Sequence, residues 1–68
     1  MDEEALNQSI RQFLKRVGVQ SQREIEHAVA GARAGGKLTG NETLKARAVL
    51  TIEGLGTLAT VEDDIRLE

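Results

Sequence analysis

The chain has no cysteine, proline, tryptophan or tyrosine, and Phe13 is its one aromatic residue. Without cysteine, no disulfide or thiolate metal site can form, and thiol chemistry is excluded. Any core would have to consist of Leu, Ile, Val and Ala side chains. The 68 residues are enough for one small domain. Because domains of this size usually need a disulfide, a metal or a partner for stability, oligomerisation is the expected stabilising factor.

Long hydrophobic runs are also absent, since none approaches the roughly 20 residues of a membrane span. The acidic start, Asp2-Glu3-Glu4, is the opposite of the basic lead of a signal peptide. We therefore expect a cytoplasmic protein with no membrane partner. With 40% apolar and 29% charged residues, the composition is typical of a globular chain rather than a disordered one.

Charge is unevenly distributed although the net charge is only −2. Residues 5–40 carry six basic and two acidic side chains, a net +4, whereas residues 41–68 carry three basic and six acidic ones, a net −3. The remaining three acidic residues stand at the start of the chain. This asymmetry predicts a basic helical half and an acidic distal half.

Two helices are predicted in the basic half, at about residues 3–17 and 22–34. Apolar side chains recur at helical spacing in each segment, and Asp2 can cap the first helix. We expect Gly18 to end that helix in a left-handed conformation. Ser21 and Glu24 then have the spacing of a capping box that opens the second helix. The pair Gly35-Gly36 is expected to end it.

From Leu44 onwards the apolar period changes from helical to two, which predicts strands at about residues 44–53 and 59–67. Glycines 54 and 56 mark the turn between them. The alternation breaks around Thr57-Leu58, so we expect a bulge or a wider loop there. The predicted architecture is a single α+β domain over residues 1–68, with the two helices packed on one face of an antiparallel hairpin. Its open strand edges favour a homodimer.

Several segments of the chain resemble a family of small, about 70-residue proteobacterial proteins of unknown function. The resemblance covers nearly the whole chain and implies a self-contained domain, but it assigns no activity and no site residue. It rests on the following segments: residues 5–7, 13–19, 21–26, 36–38, 40–44 and 50–55.

Residues 17–24 also resemble the turn of a DNA-binding helix-turn-helix, with Gly18 in the turn and Ser21 capping the next helix. Bulky Leu14 and polar Glu24 depart from that pattern. Residues 17–24 and 36–41 together resemble an S4-like RNA-binding module. Both resemblances imply a nucleic-acid-binding face on the predicted helices, although the net negative charge weakens its attraction to phosphates. Its candidate residues are Arg11, Lys15, Arg16 and Arg23.

No residue pattern indicates an enzyme. His27 has ordinary helix-surface neighbours, and Glu62-Asp63-Asp64 lacks the alternating ligands of a calcium loop. Gly54-Leu55-Gly56 is too short to bind a phosphate group. We therefore predict no catalytic, cofactor-binding or metal residue and identify no small-molecule ligand. A non-enzymatic protein-interaction domain is the leading hypothesis, with a protein partner or a second copy as its target, and nucleic-acid binding is the alternative.

Overall fold

The computed structural model describes all residues from Met1 to Glu68. It contains one helix, α1 (Glu3–Ala34), followed by two strands, β1 (Thr43–Ile52) and β2 (Gly56–Arg66). The α+β class is confirmed. The chain divides into two units, Met1–Lys37 and Leu38–Glu68, and each is described by itself. The predictions of a single domain and of helices packed on the hairpin stay predictions.

The predicted break at Gly18 is wrong, because α1 is one continuous helix of 32 residues. Gly18 has no positive φ, and Ser21 and Glu24 lie in the helix interior rather than at a start. A glycine inside a helix costs only about 1 kcal/mol relative to alanine. A turn there would instead break a series of backbone hydrogen bonds, and no proline forces one. Residues 3–17 and 22–34 are therefore halves of one element.

Both ends of α1 follow the predicted capping chemistry. An Asp2 carboxylate oxygen accepts hydrogen bonds from the backbone N–H groups of Glu4 and Ala5, at 3.0 and 3.1 Å. At the other end, Gly36 has a φ of 77° and donates to the Arg33 carbonyl at 3.1 Å, while the N–H of Lys37 donates to the Ala32 carbonyl at 2.8 Å. This pair of bonds is the Schellman motif. The left-handed glycine stop thus lies at Gly36.

The hairpin confirms the predicted antiparallel pairing, with strands that start and end within one to three residues of the expected positions. The turn between them is Glu53-Gly54-Leu55, in which the Leu55 N–H donates to the Ile52 carbonyl at 2.9 Å. Gly54 has a φ of 86°, in the left-handed region where a side chain would be strained. The expected irregularity is present as well. Leu50 pairs with Ala59 but Thr51 pairs with Thr57, which leaves Leu58 as the extra residue of a bulge.

The register gives the hairpin one apolar face and one charged face. Leu44 is paired with Ile65, Ala48 with Val61, and Leu50 with Ala59 on the apolar face. Alternate residues place opposite charges directly across the strands on the other face, Lys45 by Asp64 and Arg47 by Glu62. Opposite charges that face each other across two strands attract, and like charges there would repel. Because the sheet has only two strands, each of them has one unpaired edge.

No side chain of the chain is buried, polar or apolar. Phe13, the one aromatic side chain, is 50% exposed. The most shielded apolar residues are half-buried, and they comprise Val29, Ala32, Leu38, Leu44, Ala46, Leu50, Ile65 and Leu67. The two units therefore each present apolar side chains that their own secondary structure covers only in part.

Candidate interaction surfaces

A line of apolar side chains, interrupted only by Ser21, runs along α1, and we call it the helix stripe. Its members follow one another at spacings of four, four and three residues, repeated through the predicted break at Gly18. Eleven residues complete three turns at about 3.67 residues per turn, close to the α-helical 3.6, so the line stays nearly straight. The helix stripe consists of Leu6, Ile10, Leu14, Val17, Ser21, Ile25, Ala28 and Ala32.

The large side chains of the helix stripe remain open to solvent. Leu6, Ile10, Leu14, Val17 and Ile25 are each between 40% and 51% exposed. In a helix, a side chain is shielded along the axis by neighbours three and four residues away, but nothing on its own helix covers its outer side. With 40–51% of each of these side chains exposed, the outer side of the stripe is free along most of α1.

Side-chain size changes along the helix stripe. The first half of α1 contributes bulky residues, with Phe13 beside Ile10, Leu14 and Val17. The second half contributes mainly small ones, with Ser21, Ala28 and Ala32 on the stripe and Gly31 beside it. The larger exceptions are Ile25 on the stripe and Val29 beside it. The result is a wide half and a narrow half on one straight helix.

Gly31 has no local reason to be glycine. It lies inside α1 without a positive φ, and an added Cβ would meet nothing within 4 Å. Relative to alanine, it destabilises the helix by roughly 0.5–1 kcal/mol. It lies 18 residues after Phe13, which is five helical turns and hence the same line on the helix surface. Because Gly31 has no side chain, the narrow half protrudes less from the helix axis along that edge.

Charge also changes along α1, from acidic at its start to basic at its end. Asp2, Glu3 and Glu4 stand at its start, and Arg33 lies in its last turn with Lys37 just beyond. Each group complements the nearby end of the helix dipole, which favours acidic residues at the N-terminus and basic ones at the C-terminus. The helix is therefore acidic at the end of its wide half and basic at the end of its narrow half.

Three of the four residues predicted to bind nucleic acid, Lys15, Arg16 and Arg23, line one shallow depression on α1, and Arg11 lies outside it. Arg11 and Lys15 are one turn apart along one line of α1, and Arg16 and Arg23 are two turns apart along another, roughly 100° around the helix. Exposed Val19, on the far side of α1 from the helix stripe, lies between Lys15 and Arg16 on one side and Arg23 on the other. The bend that a helix-turn-helix needs at Gly18 is absent.

The remaining candidates are separated by the same regular geometry. His27 is exposed on α1. Strand alternation places Asp63 opposite Ala46 on the apolar face, while Glu62 and Asp64 lie on the charged face. No three His, Asp or Glu side chains come together in a way that could hold a metal ion. No helix combines the length and the hydropathy that crossing a membrane requires.

Glu42 forms a local structure that sequence reasoning missed. Its carboxylate accepts hydrogen bonds from the backbone N–H groups of Thr39 and Gly40, both at 2.9 Å, and its backbone carbonyl accepts one from the Leu67 N–H at 3.0 Å. The bonds from Thr39 and Gly40 lower the pKa of Glu42 from 4.5 to about 2. The signal was the Thr-x-x-Glu spacing, in which the glutamate reaches back to the threonine N–H as in a capping box.

The structure thus defines a small α+β protein in which an amphipathic helix and a one-sided hairpin present exposed apolar faces. By sequence, the chain belongs to a family of unknown function, DUF6494, whose model matches residues 1–68. This confirms the resemblance to a family of unknown function, while the proteobacterial origin stays a prediction, and the match assigns no activity. No curated protein and no solved structure matches the chain.

Proposed function

We propose that this chain is a non-enzymatic protein-interaction domain that uses its apolar faces to bind a protein partner or a second copy. The observation that carries the proposal is the helix stripe, whose large side chains are 40–51% exposed in a chain without one buried residue. Exposed apolar side chains that occur singly need no explanation, but a continuous line of them marks an interaction surface.

The energetics favour a partner for these faces. Fully burying a Val, Leu, Ile or Phe side chain contributes roughly 1.5–3 kcal/mol relative to leaving it exposed. Five large stripe residues are about half exposed, so covering them would contribute several kcal/mol. That amount is comparable with the whole stability of a small domain. An isolated two-stranded hairpin is likewise marginal in water, and its apolar face includes Val61 at 61% exposure.

Two further hypotheses from the sequence stay predictions. Each strand has an unpaired edge, so strand-to-strand pairing stays the predicted mode of homodimerisation. Nucleic-acid binding by Arg11, Lys15, Arg16 and Arg23 remains the alternative function, supported by the exposure of all four. It predicts that their amide signals shift on adding RNA or DNA, and that salt weakens the effect. The cytoplasmic location also stays a prediction.

Site-specific photo-cross-linking in cells tests the proposed function. A photoreactive amino acid replaces Leu14 on the helix stripe or, in a second variant, Val61 on the apolar face of the hairpin. The control replaces Gln12, which lies on the polar side of α1. We expect protein adducts from at least one apolar position and few from the control. Protein adducts no more abundant than those at Gln12 would contradict the proposal, and nucleic-acid adducts would support the alternative.

A further inference from the structure

We infer that the helix stripe is the interface of a homodimer in which two copies of α1 pair in antiparallel orientation. This inference rests on the proposed function and names its partner as a second copy of the same chain. Three observations support that choice of partner and of orientation: the size gradient of the stripe, the charge gradient of the helix, and the area that the stripe offers.

The size gradient favours an antiparallel pair. When two helices pack, large side chains on one fit best against small ones on the other. In a fully overlapped antiparallel pair, Leu6 and Ile10 of the wide half lie against Ala32 and Ala28 of the second copy, and Leu14 lies between its Ser21 and Ile25. A parallel pair would set wide against wide and narrow against narrow, so the two axes could not keep one spacing. Gly31, which no contact within the chain explains, then admits the close approach of the second helix.

The charge gradient favours the same orientation. In an antiparallel pair, Asp2, Glu3 and Glu4 of each copy lie beside Arg33 and Lys37 of the other, and this contact forms twice because of the two-fold symmetry. In a parallel pair, like charges would lie together at both ends. The helix dipoles add to this preference, because antiparallel dipoles attract and parallel ones repel.

The area of the stripe is sufficient for a stable pair. A helix of 32 residues is about 48 Å long and, with side chains, about 12 Å across. The sector of α1 from Phe13 across the stripe to Val29, which also contains Asn7 and Glu24, spans about 160° of its circumference and amounts to about 800 Å². A specific protein interface buries about 800 Å² on each partner. The pair therefore needs no other surface, and it leaves both strand edges of each hairpin free.

The pairing predicts which residues meet. With α1 fully overlapped, the two-fold axis passes near Gly18 and Val19, the middle of the helix. Val17 then lies about 5 Å along the axis from its own counterpart, whereas the two copies of Leu6 lie about 38 Å apart. Leu6 instead lies near Ala32 of the second copy. Val19 is close to the axis in sequence but is about 160° around the helix from Val17 and faces away.

Single-cysteine variants test this geometry, because the chain contains no cysteine of its own. The variants Val17→Cys and Val19→Cys form a matched pair, since they replace the same residue type on opposite sides of α1. Each is treated with a short bismaleimide in a dilution series of the full chain, and circular dichroism checks the helix content. We expect at least tenfold more covalent dimer from Val17→Cys. Equal yields would overturn the helix pair.

Orientation is tested with Leu6→Cys and Ala32→Cys, alone and mixed. We expect cross-linked dimers mainly in the mixture. Mass spectrometry should identify them as dimers of one Leu6→Cys chain and one Ala32→Cys chain. Efficient cross-linking of Leu6→Cys with itself would mean a parallel pair and would overturn the inference. Photo-cross-linking in cells can give protein adducts while the Val17→Cys and Val19→Cys yields are equal. That result would overturn the helix pair and leave the proposed function standing. A stripe covered by the chain's own hairpin would also give those equal yields.

Discussion

The helix unit and the hairpin unit differ in how their backbones are held. Every backbone hydrogen bond of α1 joins residues within one turn, whereas the ladder of the hairpin joins positions as distant as Thr43 and Arg66. A helix can continue through a poor residue at a small cost, because its neighbours keep their own bonds. A hairpin has one register, because a slip by one residue would exchange its faces. The strand pattern was therefore the more reliable guide.

The two units share one property despite this difference. Each has one apolar side that remains partly exposed, the helix stripe in α1 and the face with Leu44, Leu50 and Val61 in the hairpin. Regular secondary structure satisfies the backbone of each unit but covers only part of its apolar side chains. The stability of this small chain therefore depends on what covers these two apolar sides, and not only on its helix and strands.

The largest expected effect distinguishes one long helix from two short ones. Val19→Pro should lower the free energy of unfolding by about 3 kcal/mol, because proline inside a helix removes a hydrogen bond and clashes with the preceding turn. The control is Glu3→Pro at the first helical position, where proline is tolerated. Circular dichroism during urea unfolding measures both. Equal, small effects would mean that residue 19 lies in a turn after all.

The glycines offer a second comparison between the units. Gly54→Ala should destabilise the hairpin by about 1–2 kcal/mol, since an alanine there must adopt a left-handed conformation. Gly18→Ala should instead stabilise α1 by up to about 1 kcal/mol, because it lies in a helix with open space around its Cα. Hydrogen exchange of strand and helix amides reports each effect separately. A destabilising Gly18→Ala would restore the glycine stop at that position.

The helix start gives a smaller contrast. Asp2→Ala should cost about 1 kcal/mol, because it removes the acceptor for two backbone N–H groups, and Asp2→Asn should restore most of the loss. Ser21→Ala should be neutral or slightly stabilising, since Ser21 caps nothing and alanine is the better helix former. Thermal unfolding followed at a helical wavelength measures all three. A loss at Ser21 equal to that at Asp2 would contradict a continuous helix.

The smallest effect concerns the connector between the units. The pKa of Glu42 is lower in the folded chain than in the unfolded one, so its contribution to stability is present above pH 4.5. That contribution is lost as the pH falls from 4.5 to about 2. In an NMR titration, we expect the Thr39 and Gly40 amide signals to move with a midpoint near 2. Glu42→Gln, which does not titrate, should abolish that movement, and a midpoint at 4.5 would show that the two hydrogen bonds are absent.

Prediction from sequence succeeded where one residue type satisfies a strict geometric demand. The bulge followed from a break in alternation at Thr57-Leu58, and the helix ends followed from Asp2 and from Gly35-Gly36. It failed at Gly18, where a difference of about 1 kcal/mol separates a stop from a continuing helix. The same rule, a left-handed glycine at a helix end, was correct at Gly36 and wrong at Gly18. The Glu42 hydrogen bonds were missed although the Thr-x-x-Glu spacing was visible.

The candidate surface was predicted in pieces. Both apolar segments of α1 were recognised, but as two stripes on two helices that face each other. The four basic residues were expected on one face, and on the continuous helix they lie along two lines within a sector of about 140°. Both outcomes depend on whether residues 18–21 continue the helix. Each residue of a helix turns the chain by about 100°, so one non-helical residue would move every later side chain around the axis by about that angle.

The sequence by itself determined the element types, the approximate bounds of the strands and the chemistry of the helix ends, because each depends on neighbouring residues or on strict alternation. Only the three-dimensional structure decided that α1 continues through Gly18, since that choice sums many backbone hydrogen bonds against one weak propensity. It thereby joined two apolar segments into one exposed stripe with a wide acidic end and a narrow basic end. The alignment of such a stripe requires every residue between its ends to be helical. No local sequence pattern contains that information.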